Sequence, residues 1–400
     1  MSDDKGVTPM HFNVKALPIA ISIALVPAAA FADEATDAKV AKLEQQVQAL
    51  QAQQTKSLTE KFNFNGFISG AYISSDNDAG YNGASSSADF SQDSKIGFQG
   101  TFNISNQTQA VLQLMMKGEN DWDVEAEWAY LSHRFDNGTK IRGGKLRVPL
   151  FMYSDYLDVG YAQPFARPPT EVYDQVPFSS YTGGDISYDF EFEDSTLTLQ
   201  GFGGESTVPN SDLDLSNIMG ANVSWTDLTW TFRAVYGQTN LDGEANGLMI
   251  DNEQAVFNGL GGSFDNGSVI AVAEWTTVEI DGLLSDHESG YLTVGYRIKS
   301  FTPYATIAYV KTSDDDVRSN LPPQLALPLS LGLNEKRTAY SLGLRWDAID
   351  NVAIKFDLTY ATDFGDTHGG LDTNPVLNPF TKQFQFDDTL VYTVKFDAVF

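Results

Sequence analysis

Residues 140–184 read KIRGGKLRVPLFMYSDYLDVGYAQPFARPPTEVYDQVPFSSYTGG, and the fold turns on how this stretch is taken. Apolar and polar residues alternate before and after it, but from Pro149 onward the alternation stops. Pro149, Pro164, Pro168, Pro169 and Pro177 remove backbone donors, so residues 149–184 do not form a ladder strand. A solvated linker is equally poor as a description. Phe151, Tyr153, Tyr156, Tyr161, Phe165, Tyr173, Phe178 and Tyr181 carry more aromatic surface than a disordered segment leaves in water. Charges of both signs are interleaved: Arg142, Lys145, Arg147 and Arg167 against Asp155, Asp158, Glu171, Asp174 and Asp185. The expected structure is a loop folded into the mouth of a barrel, and the flanking sequence has to supply that barrel.

Period-two alternation fills the chain on both sides. Ile186, Tyr188, Phe190 and Phe192 oppose Asp185, Ser187, Asp189 and Glu191. Leu228, Trp230, Phe232 and Tyr236 alternate with Thr229, Thr231 and Arg233, and Leu292, Val294, Tyr296 and Ile298 with Thr293, Gly295 and Arg297. Trp122, Val124, Trp128 and Tyr130 are expected on one face, with Glu125 and Glu127 on the other. Continued from Phe62 to the last residue, the count is about sixteen strands. Tight-turn residues at Asn106-Gln107, Asp136-Asn137-Gly138, Asp194-Ser195, Thr226-Asp227, Asp265-Asn266-Gly267 and Asp350-Asn351 alternate with longer polar stretches. Those stretches, 74–94, 205–217, 240–253, 281–289, 314–337 and 363–388, are expected to be loops. Short turns on one rim and long loops on the other describe a membrane β-barrel, all-β and antiparallel.

Composition agrees with this fold and excludes several functions. The 400 residues have a mean hydropathy of −0.23. Lumen-facing residues offset lipid-facing ones in a membrane barrel, so such a value is normal for one. No run after residue 32 approaches the ~20 apolar residues of a membrane helix. Cysteine is absent, which removes disulfides and thiolate metal sites. The net charge of −28 makes nucleic acid an unsuitable partner.

Residues 1–32 end in KALPIAISIALVPAAAFA, a basic start, a short apolar core and an Ala30-Phe31-Ala32 cleavage site. The reading is a signal peptide removed before Asp33, with Met10 a more natural start than Met1. Lys5 and Lys15 balance Asp3 and Asp4, so cleavage leaves the net charge unchanged. Within residues 33–60, Val40, Leu43, Val47 and Leu50 stand at a/d spacing, as in a periplasmic helix or short coiled coil. A solvated helical spacer is the competing reading. Residues 61–400 form the barrel.

The chain ends on LVYTVKFDAVF, with Leu390, Tyr392, Val394, Phe396, Ala398 and Phe400 on one face. A final amphipathic strand ending in Phe looks like the assembly signal of Gram-negative outer-membrane barrels. With the signal peptide, the strand count and the long loop after the fifth strand, the chain resembles a Gram-negative trimeric porin over Phe62 to Phe400. The helix ahead of the barrel looks like that of porins carrying a periplasmic coiled coil. The resemblance implies a passive outer-membrane channel for small hydrophilic solutes and ions. It implies a homotrimer embedded in lipid and lipopolysaccharide, inserted by barrel assembly machinery that reads Phe400, and working without a cofactor.

It also implies a constriction where loop 149–184 faces a basic stretch of wall. The candidate lining residues are Arg142, Lys145, Arg147, Asp155, Asp158, Arg167, Glu171 and Asp174. Alternation complicates the set, because Arg142 has opposite parity to Lys145 and Arg147, and without a bulge Arg142 and Arg147 cannot both face the lumen. The loop is net acidic at the narrowest point, so a mild cation preference is expected. The alternatives are a solute-specific channel for carboxylates or other anions, and an adhesive barrel with a blocked lumen. Enzymatic function is not expected. His11, His133, His287 and His368 are scattered without metal spacing, and Ser132 and His133 point to opposite faces of one strand.

Overall fold

The computed structural model describes residues 61–209, 211–245, 248–371 and 373–400. The expected signal peptide and the helix or coiled coil within 33–60 lie outside these residues. The strands are β1 (Phe62–Ser75), β2 (Lys95–Asn103), β3 (Thr108–Lys117), β4 (Val124–Arg134), β5 (Lys140–Arg147), β6 (Ser180–Glu191), β7 (Thr196–Thr207), β8 (Asp212–Thr226) and β9 (Trp230–Ala245). They continue as β10 (Leu248–Asp265), β11 (Val269–Ile280), β12 (His287–Tyr296), β13 (Phe301–Thr312), β14 (Lys336–Ile349), β15 (Val352–Thr362), β16 (Val376–Asn378), β17 (Gln383–Phe384) and β18 (Thr389–Val399). β1–β15 and β18 pair with their neighbours into one closed antiparallel barrel of sixteen strands, while β16 and β17 form a separate hairpin. Closure leaves no free sheet edge.

The seam joins β1 to β18 from Phe67↔Val399 to Ser75↔Val391. Phe400 extends it by exchanging backbone bonds with Gly66 at 2.8 and 2.9 Å. Its ring lies over Gly66, where a Cβ would come 2.4 Å from Cε2, so the glycine makes room for the terminal aromatic. The outer face carries Phe232, Leu260, Val294, Leu342 and Phe356 in the open. Near the short-turn rim Trp230 stacks on Phe232 at 5.7 Å and Phe301 on Trp346 at 6.0 Å, as in an interfacial aromatic girdle. Among the described residues no helix is long and apolar enough to cross a membrane. The outward apolar band is what lipid would cover.

Two expectations need correction. A bulge in β4 makes Glu127 an extra residue, since Gln113 pairs with Trp128 and Leu114 with Ala126. Beyond it the faces exchange: Leu131 is exposed outward, while Tyr130 lies inward beneath the Arg142 guanidinium, 5.5 Å from its ring centre. Val124 and Tyr130 are therefore not on one face. Second, 205–217 and 240–253 are mostly strand rather than loop. β8, β9 and β10 run for 15, 16 and 18 residues, well beyond the ~9–11 that span a bilayer. In the excess length the polarity of the wall inverts. Leu213, Leu215, Leu241 and Ile250 point inward and are buried, while Asp212, Asp214 and Glu244 are exposed. A wall that rises out of lipid into water needs its polar side outside, so the sequence of this tall rim reads like loop.

Candidate functional site

β5 ends at Arg147 and β6 begins at Ser180, so the inward loop spans residues 148–179, a little shorter than 149–184. Tyr181–Gly184 continues the wall. The loop contains short turns at Ser154–Tyr156 and Gly160–Ala162 and one helical turn at Thr170–Tyr173. Its prolines and aromatics pack it against the inside of the wall in two different ways.

One flank is apolar. Phe151 lies 4.7 Å from Tyr173 and 5.3 Å from Phe257 of β10, and Tyr153 lies 5.4 Å from Phe165. Glu274 of β11 anchors this flank. It accepts from the Met152 amide at 2.8 Å, from Tyr291 Oη at 2.8 Å and from Tyr173 Oη. Tyr304 Oη accepts from the Ala166 amide at 3.0 Å and donates to Asp357 at 2.6 Å.

The other flank is ionic. Asp158 is bound by Lys95 of β2 at 2.9 Å, by Lys117 of β3 at 4.0 Å and by Arg147. Arg147 also reaches Glu127 at 2.9 Å. Arg167 pairs with Asp93 at 2.9 Å, and Glu171 pairs with Arg337 of β14 at 2.6 Å. Lysines hold the loop backbone too. Lys355 donates to the Gly160 carbonyl at 2.6 Å and Lys395 to the Ala166 carbonyl at 3.0 Å, with both near Asp397 at 2.9 and 3.8 Å. A Cβ at Gly160 would sit 2.1 Å from Asp397 Oδ1, so only glycine lets the loop approach this closely. Burial pushes the Asp158 carboxyl up, but Lys95, Arg147 and Lys117 together hold it well below the usual carboxylate range.

The eight candidate residues separate accordingly. Arg147, Asp158, Arg167 and Glu171 are ties between loop and wall; the Arg147 and Glu171 side chains are only 4% and 1% exposed. Arg142 faces the lumen but is spent on Asp185, donating from Nε at 2.9 Å and Nη2 at 2.5 Å; Gln200 also donates to that carboxylate at 2.9 Å. Lys145 pairs in register with Ala129 and Thr182 and lies in a groove with Glu125, Glu205 and Asp214. The alternation that turns Arg142 and Leu146 inward turns Lys145 outward, away from the lumen. Arg147 shares that parity yet reaches the loop, because β4–β5 pairing stops at Ala129↔Lys145 and opens the wall beside it. Asp155 and Asp174 remain open to water. Asp174 touches that water from deep inside the mouth, where the enclosing protein raises its carboxyl to about 7, with Arg337 opposing and Glu171 adding to the rise. The wall partners Lys95, Lys117, Arg337, Lys355, Lys395 and Glu274 were not among the candidates. Each is a charge on an inward strand position, and that is the signal that could have found them.

Chemically the arrangement offers hydrogen-bond donors, acceptors and charges on the inner face of the wall and on the loop. Among the described residues no group of three or more His, Asp or Glu side chains is placed to hold a metal ion. His133 bonds Thr108 at 2.9 Å, away from Ser132, which is buried on the other face.

No protein-family model matches the sequence, and no curated protein matches it. Solved structures do. Salmonella typhi OmpF, in a complex with daunomycin, is 12% identical with a TM-score of 0.56, over 84% of this chain and 97% of that one. A loop-deletion mutant of Vibrio cholerae OmpT is 12% identical with a TM-score of 0.55, over 85% and 99%. An anion-selective porin from Comamonas acidovorans is 13% identical with a TM-score of 0.52, also over 85% and 99%. At such identities the likeness is one of fold, and the fold is that of the sixteen-strand outer-membrane porins.

Proposed function

We propose that the protein is an outer-membrane porin, a passive diffusion channel for small hydrophilic solutes and ions. The observation that carries this reading is a closed barrel with an apolar outer band and a charged loop folded into its lumen. A signal peptide ending at Ala32, assembly through Phe400 and a homotrimer in lipid and lipopolysaccharide belong to the same proposal. The reading includes a mild cation preference, for a narrower reason than the net charge. The basic residues of the constriction are consumed by ion pairs, whereas Asp155 and Asp174 keep contact with water. Charges further off are screened beyond ~8 Å at physiological salt.

Reversal potentials in planar bilayers under a salt gradient at pH 8.5, where Asp174 is ionised, test it. The wild type should lie on the cation side. The double substitution Asp155→Asn/Asp174→Asn should move it toward zero, and Lys145→Gln should leave it unchanged. An anion-side wild-type potential would remove the preference and favour the anion-specific alternative. A second reading, a barrel with a blocked lumen, is supported by the reach of the loop, which is tied to β5, β3 and β2, past the seam to β18, β15 and β14, and on to β11. Absence of wild-type conductance under the same conditions would decide for it.

A further inference from the structure

The tall rim encloses something a water-filled mouth does not need. Where the wall inverts, Leu213, Leu215, Leu241, Phe257, Ile280 and Leu284 line a chamber of 630 Å³ between the loop and the long-loop ends of β8–β12. That volume lies within the ~300–1,000 Å³ of small-molecule sites, which are mostly apolar with few polar groups. The polar end of the chamber is acidic. Arg337 lines it, but its guanidinium is spent on Glu171 at 2.6 Å and on the Gly370 carbonyl at 3.3 Å. Glu335 accepts from Gln175 at 3.0 Å and stands 3.4 Å from His287 Nε2, and the His368 Nδ1 accepts from the Leu371 amide at 3.0 Å. Asp174 also lines the chamber and is open to it. The cation at that end is therefore already matched by Glu171, leaving an excess of carboxylate.

We propose that this chamber is a binding site for a small organic cation, with an apolar or aromatic body against the leucine wall and one ammonium group toward Asp174 and Glu335. A purely hydrophilic solute gains nothing from the leucines, and an organic anion meets two carboxylates. The site stands whether the lumen below conducts or is blocked, so its test does not need conductance.

The whole barrel in lipid nanodiscs can be titrated calorimetrically at pH 8.5, above the raised range of Asp174, with benzyltrimethylammonium, benzyl alcohol and benzoate, and with empty nanodiscs as the blank. The expected result is saturable binding of the cation, about tenfold weaker binding of the alcohol, which is a difference of about 1.4 kcal/mol, and no saturable binding of benzoate. Asp174→Asn should bring the cation down to the alcohol's affinity and leave the alcohol unchanged. Leu215→Asn should weaken cation and alcohol alike by about tenfold. Leu241→Asn repeats that test should the first variant fail to fold, and Asp174→Asn reads the charge in an intact wall. Equal affinity for all three probes, cation binding undiminished by Asp174→Asn, or no saturable binding of the cation would each overturn the proposal.

Discussion

The two flanks of the inward loop are held by different physics. On the apolar flank Phe151, Tyr153, Phe165, Val172 and Tyr173 are buried against the wall, and each such side chain contributes about 1.5–3 kcal/mol. On the ionic flank desolvation of the buried charges offsets most of their mutual attraction. The aromatics therefore supply most of the free energy that keeps the loop inside, whereas the ion pairs fix where it lies. Breaking an ion pair is another matter, since it strands the remaining charges without a partner.

That asymmetry orders the tests. Asp158→Ala takes the paired carboxylate from Lys95 and Lys117 and leaves Arg147 with Glu127, and should cost about 3–5 kcal/mol. Urea unfolding in detergent measures the loss, and single-channel conductance should rise as the loop leaves β2 and β3. Unchanged conductance would show that the aromatics alone position the loop. Phe151→Ala should cost about 3 kcal/mol through the cavity it leaves. The loss should be equal at low and high salt, and a salt-dependent loss would place Phe151 in the ionic network. Glu274→Gln keeps the shape but replaces a charged acceptor serving Met152, Tyr173 and Tyr291 with a neutral one. About 1–2 kcal/mol should be lost by the same unfolding assay.

The smallest effects come from pH, and two carboxylates of the loop, Asp158 and Asp174, should respond with opposite sign. Asp158 is held below its ordinary range when folded, so its contribution is present above about pH 4 and is lost as pH falls further. Asp174 is raised to about 7. The folded state therefore holds its proton more tightly, and the stability it contributes is full below about pH 4 and declines up to pH 7. Contact with lumen water makes this decline shallow. Unfolding midpoints of Asp174→Asn across pH 4 to 7 should be flatter than those of the wild type. An identical slope would show that Asp174 is solvated like a surface carboxylate.

Much of this architecture is carried by local pattern. Alternation over Ile186–Phe192 or Leu228–Tyr236 needs no partner to be recognised, because lipid on one side and water on the other act on each strand separately. The prolines from Pro149 to Pro177 likewise mark the loop by what they cannot do. The tall rim departs from this pattern for the same reason. Once β8–β10 leave the lipid the rule that sets their pattern reverses, and polar residues such as Asp212, Asp214 and Glu244 resemble a loop.

Within the inward loop the sequence determined which charges the chain carries, and the tertiary structure decided what they do. Asp158 and Glu171 look like pore-lining carboxylates until the barrel closes and brings Lys95, Lys117 and Arg337 beside them. Those partners lie up to 166 residues away. Lys145 and Arg147 share a parity, yet one faces outward and the other reaches the loop, because the β4–β5 ladder stops short between them. Strand identity follows from each residue's immediate surroundings and is written locally. The fate of a buried charge depends on its partners, and here they come from strands β2, β3 and β14, which only closure of the sheet carries to the loop.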